Sequence, residues 1–363
     1  MLFSPLTLRC GLVLPNRIAL APLTNVQSHA DGLLGDAELE FLARRADGGF
    51  GLISTCAAYV ARDGKAWDGE LAIDRDACLP GLRRLATRLH DGGARAIVQL
   101  FHGGARADAK LTGETPWSAS TWTEDRPGFV PPRTATADDV HRVTQQFAEA
   151  AARAEAAGFD GVELHGAHGY LLSQYLSRTQ HPGATLVERA ALIRGVMQAC
   201  RARCSPGFAI GVRLSFEDFG QARGLDLDES LEVARWLVED GADFLHASLW
   251  DVSKMSTKRP DQHVLTMLRA ALPAGVAIFT AGKIWSREDA ELALERGADV
   301  VALGRSAIVN PSWPHDIAGG RVIQQPPVTP AELEARAVSP RFVSYLRAWK
   351  GFIADQVAGS STA

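Results

Sequence analysis

The sequence predicts an α/β protein of the (β/α)8 TIM barrel class. Eight short apolar runs recur along the 363 residues, and segments with helical periodicity separate them. The runs are nearly continuous, as in parallel strands that are buried on both faces. Each step takes about 30–40 residues, and no change of composition marks a linker. We therefore expect a single domain over residues 1–363, with the barrel at about residues 16–310 and a C-terminal helical tail at about residues 311–363.

The elements follow in order along the chain. An N-terminal hairpin that includes residues 9–15 would close one end of the barrel. The predicted strands cover residues 16–22, 49–60, 94–101, the apolar start of 159–177, 207–215, 243–248, 275–282 and 298–304. The predicted helices cover residues 36–48, 80–89, 138–157, 187–204, 228–240, 261–272 and 286–296.

The connection after the third strand is longer than a compact domain ordinarily uses. Residues 105–132 are rich in Pro, Gly, Thr and Trp, and they carry Trp117, Trp122 and Phe129. A loop of this length is either a lid that shapes a pocket or a solvent-exposed excursion, and the sequence leaves both interpretations open.

Charge and cysteine content exclude several classes of protein. The chain has 38 Lys+Arg and 42 Asp+Glu, and its net charge of -4 offers no basic field for nucleic acid or an anionic membrane. Five scattered cysteines do not form a disulfide framework, so we expect reduced thiols and no metal site. No segment reaches the ~18 apolar residues of a membrane span and no signal-peptide pattern is evident, so we expect a cytoplasmic protein.

Side chains that follow the strands of a barrel meet at one mouth, where this fold places its active sites. The residues at these positions are Thr24, Ala57, Gln99, His102, His165, His168, Tyr170, Arg213, Trp250, Gly282, Lys283, Gly304 and Arg305.

Two of these strand ends combine a glycine with a cation before a helix. Gly282 and Lys283 follow the seventh strand in AGKIWS, and Gly304 and Arg305 follow the eighth in LGRSAI. Backbone N–H groups and the positive end of a helix dipole bind phosphate, and barrels often use these two loops for it. The alternative is that the glycines are ordinary turn residues and the cations are solvated.

Gln99 and Arg213 would lie beneath such a phosphate and would suit a planar cofactor whose polar edge needs donors and a positive charge. FMN is the natural candidate. The sequence resembles the old yellow enzymes, FMN-containing ene-reductases built on this barrel. The resemblance extends from NRIALAPLT through VQLFHGG, GVELHGAHGYLLSQYLS and GVRLS to VALGRSAIVNP. Its most specific part is HGAHGYLLSQYLS, with two histidines three residues apart before Gly-Tyr.

The resemblance implies a role for each residue of that motif. His165 and His168 would hydrogen-bond the carbonyl or nitro oxygen of the substrate and so stabilise enolate-like charge. Tyr170 would protonate the α-carbon. Arg213 would lie near flavin N1 and O2, and Gln99 would bond the pyrimidine edge.

The remaining implied contacts also involve FMN. Thr24 would donate to flavin O4, and the Ala57 N–H would reach the same side. The phosphate would be bound by Gly282, Lys283, Gly304 and Arg305.

The implied reaction has two halves in one pocket. NAD(P)H would reduce FMN and leave, and an enone, enal or nitroalkene would then accept hydride at its β-carbon while Tyr170 protonates the α-carbon. We therefore expect FMN and NAD(P)H as cofactors and a small-molecule substrate, without a nucleic-acid or membrane partner. A homo-oligomer remains open.

Three segments depart from the family pattern. Residues 177–192 lack the fuller Asn- and Arg-containing run of relatives, and Val26 lies where one branch has an aromatic gate. Residues 341–352 do not match the Arg-bearing end that the same branch inserts into a neighbouring subunit. Substrate range and assembly therefore do not follow from the resemblance.

Three other functions compete with this interpretation. Larger relatives add an iron–sulfur cluster, which the scattered cysteines do not suit. A barrel lyase would form a Schiff base on Lys283, which requires a desolvated amine. A flavin-binding barrel without turnover could serve as a sensor or scaffold.

Overall fold

Eight parallel strands form one closed sheet in the computed structural model, which describes residues 1–125 and 128–354. Each strand pairs with its neighbour in sequence, and the first strand also pairs with the last. The predicted (β/α)8 barrel is confirmed. Its strands are β1 Ile18–Leu20, β2 Leu52–Tyr59, β3 Arg95–Phe101, β4 Gly161–Gly166, β5 Ala209–Leu214, β6 Phe244–Ser248, β7 Ala277–Ala281 and β8 Val300–Leu303.

Helices connect these strands close to the predicted positions. They are α1 Asp36–Ala46, α2 Leu79–Asp91, α3 Ala137–Ala156, α4 Leu186–Arg203, α5 Leu227–Glu239, α6 Val264–Ala271, α7 Arg287–Glu295 and α8 Arg305–Val309. Capping boxes begin α3 at Thr136, α4 at Thr185 and α7 at Ser286, because each hydroxyl accepts the N–H of an acidic residue three positions on. None of the helices in residues 1–125 and 128–354 has the length and apolar character to cross a membrane.

Short elements complete the described chain. A two-residue strand, Leu71–Ala72, pairs with the end of β2. One-turn helices occupy Arg62–Gly64, Asp76–Cys78 and Gly104–Arg106, and a longer one, Leu171–Leu176, follows β4. The predicted C-terminal helical tail consists of three helices, Trp313–Ala318, Pro330–Glu334 and Pro340–Leu346. Residues 355–363 of that predicted tail lie outside the described residues.

The predicted hairpin covers the N-terminal end of the barrel. Leu6–Thr7 pairs antiparallel with Val13–Leu14, and Leu14 packs against inward-facing apolar side chains of the strands. Phe244 and Phe279 stack there with ring centroids 4.3 Å apart. Gly211 leaves the space for Phe244, since a Cβ at this position would lie 2.2 Å from the ring. This end of the barrel is therefore filled.

Farther along the strands the inward positions become polar. Side chains alternate between the two faces of a strand, and two residues beyond Ile97 and Phe244 the same face carries Gln99 and His246. Gln99 lies opposite Glu163 in the register of β3 and β4, and Arg213 lies opposite His246 in that of β5 and β6. The inward-facing side chains are therefore polar at the C-terminal mouth of the barrel, where a functional site can form.

The segment 105–132 contains more regular structure than the sequence predicted. A helix, Ala109–Thr112, and a strand, Trp117–Ser118, lie within it, and that strand pairs with Arg133–Thr134. Trp117 is buried and donates its indole N–H to Asp63 Oδ2 at 3.0 Å. The exposed-excursion interpretation is therefore wrong for Trp117, because a buried hydrogen bond anchors this part of the loop. Residues 126 and 127 lie outside the described residues.

Arg45 joins α1 to the elements that follow the barrel. Its side chain is completely buried and donates to the carbonyls of Ala307 and Ile308 in α8, at 3.1 and 3.0 Å. Its Nη1 also donates to the carbonyls of Phe41 and Arg336, each at 2.9 Å. The carbonyls near the end of a short helix lack helical partners, so Arg45 satisfies them and holds α8 in place.

Replacing Arg45 with Met should lower the free energy of unfolding by about 3 kcal/mol, because the buried carbonyls lose their donors. Urea unfolding measures this change. Arg44→Met is the matched control, since Arg44 is exposed on the same helix, and it should change the free energy of unfolding by less than about 0.5 kcal/mol. Equal losses in both variants would contradict the role of Arg45.

Candidate active site

A cavity of about 240 Å³, the inner cavity, opens at the C-terminal ends of the strands. It contains every predicted substrate-binding and ring-binding residue, together with aromatic side chains that the sequence did not single out. The lining residues are Pro22, Leu23, Thr24, Ala57, Trp67, Gln99, His165, His168, Tyr170, Arg213, Tyr345 and Trp349.

A second cavity of about 440 Å³, the outer cavity, adjoins the first. Both are lined by Pro22, Leu23, His168, Arg213 and Trp349. The predicted phosphate-binding residues lie here, namely Gly282, Lys283, Gly304 and Arg305. The eleven predicted site residues thus lie around two cavities that share one wall.

His165 and His168 form a hydrogen-bonded chain whose direction can be assigned. The Ala167 N–H donates to His165 Nδ1 at 3.3 Å, so the proton of His165 must be on Nε2. That nitrogen lies 3.3 Å from His168 Nδ1, and His168 Nε2 lies 2.7 Å from Ser248 Oγ. Each histidine therefore carries one proton on Nε2.

The surroundings keep both histidines neutral. Burial, reinforced by the charge of Arg213, lowers the pKa of His165 to about 3. Burial and Arg213 also hold the pKa of His168 well below its ordinary value. At neutral pH both side chains are therefore uncharged hydrogen-bond donors, and they add no positive charge beside Arg213.

A tight turn after β4 positions Tyr170. His168 and Gly169 have φ angles of 62° and 74°, both in the left-handed region, so the chain reverses before the helix Leu171–Leu176. The Tyr170 ring then lies edge-on to Phe101 with centroids 4.5 Å apart, and 5.1 Å from the His165 ring. The phenol is thereby held beside the histidine pair in the inner cavity.

A buried polar cluster lies below the inner cavity. Gln99 Nε2 and His246 Nδ1 each contact one oxygen of Glu163, at 2.7 Å. Arg213 lies against this cluster, and within the described chain its buried Nε has no hydrogen-bond partner. Burial lowers the pKa of Arg213 and Glu163 opposes the effect, but a guanidinium remains protonated in proteins. An unsatisfied cationic donor that lines a cavity suits the electron-rich edge of FMN.

The outer cavity suits an anion. Gly282 lies so close to the preceding loop that a Cβ would approach the Leu249 carbonyl oxygen to 2.9 Å. Gly304 is the N-cap of α8, and the buried Ser306 Oγ in its first turn has no partner among the described residues. Open backbone and an unsatisfied hydroxyl beside Arg305 fit the phosphate of FMN.

Lys283 is not the amine that a Schiff-base lyase requires. Its Nζ lies 3.2 Å from Asp251 Oδ2, and its side chain is 40% exposed. An ion-paired, hydrated ammonium lacks the desolvation that would make it nucleophilic. Among the residues that the structure describes, no group of three or more His, Cys, Asp or Glu side chains could hold a metal ion.

A bulge and the C-terminal tail complete the inner cavity. The register of β2 with β3 shifts between Ser54 and Ala57, and such bulges redirect the backbone beside active sites. Tyr345, from the last described helix, lines the inner cavity together with Thr24. The tail therefore supplies a wall next to a predicted flavin contact.

Other expectations about the mouth need correction. His102 lines neither cavity, because it is buried, with its Nε2 3.4 Å from Asp63 Oδ1 and its ring packed against Trp117. Trp117, Trp122 and Phe129, proposed to shape the pocket, also line neither cavity. The aromatic walls come instead from Trp67, Tyr345 and Trp349. No sequence motif surrounds Trp67, Tyr345 or Trp349, so the sequence could not identify them as residues of the cavity wall.

The sequence profile of the NADH:flavin oxidoreductase / NADH oxidase family matches residues 1–324. The chain belongs to this family. It is 34% identical over 331 residues to "Probable NADH-dependent flavin oxidoreductase YqiG" of Bacillus subtilis (strain 168), which covers 88% of each chain. It is 31% identical over 362 residues to the NADPH dehydrogenase of Bacillus licheniformis, which covers 96% of this chain and 98% of that protein.

A solved structure supports the same fold. The old yellow enzyme homologue from Zymomonas mobilis superimposes with a TM-score of 0.80 at 24% identity, over 94% of this chain and 98% of that one. The protein is thus an FMN-dependent NAD(P)H oxidoreductase of the old yellow enzyme type, as the motifs predicted.

The low pKa of His165 makes stability depend on pH. Between pH 6.5 and about 3 the unfolded chain binds a proton at this residue and the folded chain does not, so stability rises with pH across this window. His165→Gln should reduce the loss of unfolding free energy between pH 7 and 5, by up to about 1.4 kcal/mol per pH unit.

Urea unfolding at pH 7, 6 and 5 under identical ligand conditions measures this slope. His141→Gln is the control, since His141 is exposed on α3, and it should retain most of the wild-type slope. An unchanged slope in His165→Gln would show that this residue is not held neutral.

Proposed function

We propose that the protein reduces the C=C bond of α,β-unsaturated carbonyl or nitro compounds. The observation that carries this proposal is the lining of the inner cavity. Gln99 and Arg213 line it together with His165, His168 and Tyr170. The first two suit the flavin ring, and the other three suit a substrate with an electron-withdrawing oxygen.

The residues would divide the work as follows. Arg213 and Gln99 would hold the pyrimidine edge of FMN, and Thr24 with the Ala57 N–H would contact its O4 side. The outer cavity would hold the phosphate through the glycines and cations of the β7 and β8 loops, Gly282, Lys283, Gly304 and Arg305. When bound, FMN accepts hydride from NAD(P)H and passes it to the second substrate.

The histidines would bind the substrate oxygen. Both side chains are neutral, so they would add no charge to the cavity. To donate, His165 would turn its Nε2 proton from His168 Nδ1 to the substrate oxygen, and His168 would turn its Nε2 proton from Ser248 Oγ. Donors aimed at this oxygen stabilise the negative charge that appears when hydride reaches the β-carbon. A substrate that displaced water from this cavity, which Trp67, Tyr345 and Trp349 line, would form stronger hydrogen bonds there.

Tyr170 would donate the proton to the α-carbon. Its ring is fixed between Phe101 and His165, and its position beside the histidine pair brings it near a substrate whose oxygen they hold. A phenol gives up its proton only to a strongly basic centre, which matches a carbon that has gained electron density.

The overall proposal predicts a coloured protein. Reconstituted protein should bind FMN and show flavin absorbance, lose it on addition of NADH or NADPH without oxygen, and regain it with 2-cyclohexenone. Anaerobic absorbance spectroscopy records each step. Protein that binds FMN and is reduced, but is not reoxidised by enones, enals or nitroalkenes, would contradict the substrate class.

The role of Tyr170 predicts a selective kinetic defect. Tyr170→Phe should leave reduction by NAD(P)H within about twofold of wild type, and should slow oxidation by 2-cyclohexenone about 10²-fold or more, as expected for loss of a general acid. Stopped-flow absorbance separates the two half-reactions. Tyr175→Phe is the control, because Tyr175 lies on the next helix and does not line the inner cavity. Equal slowing of both half-reactions would contradict the assignment.

A further inference from the structure

Glu163 is a buried carboxylate to which the proposed reaction assigns no role. It lies on β4 two residues before His165, and its side chain is enclosed by the barrel. Burial alone would raise the pKa of Glu163, but His246, Arg213 and Gln99 outweigh this effect and lower it. The structure therefore maintains an anion directly below the inner cavity, where an unpaired charge would be costly.

Glu163 determines which way the Gln99 amide faces. An ionised carboxylate only accepts hydrogen bonds, so the atom of Gln99 that lies 2.7 Å from Glu163 Oε1 must be the amide nitrogen. Half a turn of the amide would place two oxygens against each other. His246 donates through Nδ1 to the other carboxylate oxygen at 2.7 Å, which holds the carboxylate in this orientation.

The fixed amide leaves two groups for a ligand. With Nε2 turned to Glu163, the bond to the carboxylate uses neither Gln99 Oε1 nor the second N–H of Nε2. The pyrimidine edge of a flavin presents an N–H between two carbonyl oxygens. An amide that offers an oxygen beside an N–H matches that edge, and a freely turning amide would have to be ordered on binding.

We propose that Glu163 is a positioning residue, which orients Gln99 for the pyrimidine edge of FMN and offsets the positive charge of Arg213, with His246 as its support. This inference rests on the proposed FMN contacts of Gln99 and Arg213. Two effects of opposite sign follow. Orientation of Gln99 strengthens binding of oxidised FMN, whereas the anion weakens the preference of Arg213 for the more negative, reduced cofactor.

Glu163→Gln should separate these effects. Its dissociation constant for FMN should rise about tenfold, as expected when one oriented hydrogen bond is lost. Its bound FMN should nevertheless have a more positive midpoint potential, because Arg213 loses its counter-charge. Gln99→Leu should also weaken FMN binding, and the double variant should bind no more weakly than Gln99→Leu, since Glu163 acts through Gln99.

Two further variants complete the experiment. Glu163→Asp keeps the charge but withdraws it from Gln99, so it should weaken FMN binding while the midpoint potential stays near that of wild type. This variant decides the matter if Glu163→Gln does not fold. Asp243→Asn is the control, because Asp243 is a buried carboxylate that bonds Arg201 and the Ile210 N–H at the N-terminal end of β6, and it should change neither quantity.

Equilibrium titration with FMN and anaerobic spectroelectrochemistry provide the two readouts. Folded Glu163→Gln, or Glu163→Asp in its place, with a wild-type dissociation constant for FMN would overturn the inference. Additive losses in the double variant would overturn it as well. Failure of the wild type to bind FMN would instead overturn the proposed function, so the two failures can be distinguished.

Discussion

The pairing of β1 with both β2 and β8 is the constraint on which the site depends. Only three residues, Ile18–Leu20, close the sheet, and closure places the inward side chains of all strands in one enclosed space. Side chains alternate along each strand, so every second residue faces the interior of the barrel. These inward-facing residues are apolar near the N-terminal end and polar near the mouth. Four separate strands can then bring Gln99, Glu163, Arg213 and His246 into one cluster without any of them being near the others in sequence.

Electrostatics then divides the mouth into regions of different character. Arg213 is a permanent cation opposed by Glu163, it lines both cavities, and its buried Nε has no hydrogen-bond partner among the described residues. The histidine pair is neutral, because burial and the same cation disfavour its protonation. The negative edge of the cofactor would thus meet a charged donor, Arg213, and the substrate oxygen would meet neutral donors, the two histidines. In the proposed complex, positive charge would lie beside the flavin, and neutral hydrogen-bond donors would lie beside the substrate.

The sequence was most informative where local rules apply. All strands of a parallel barrel end at the same mouth. Once the strands were predicted, Gln99, His165 and Arg213 could therefore be placed at that mouth without knowledge of contacts between distant residues. Glu163 and His246 could not be recognised in this way, because they lie inside apolar runs and their role depends on pairing across the barrel. Tyr345 reaches the site from the tail, so only the packed structure reveals it. The burial of His102 likewise depends on Asp63 and Trp117, which lie far from it along the chain.

We propose that one cavity holds the flavin ring against Gln99 and Arg213 and presents the histidine pair and Tyr170 to the substrate. A crystal structure of the protein grown with FMN tests it most directly. We expect the pyrimidine edge within hydrogen-bond distance of Gln99 and Arg213, the phosphate at the Gly282 and Gly304 loops, and the ring exposed toward His165 and Tyr170. Electron density that placed the ring outside the inner cavity, or the phosphate away from both loops, would contradict it.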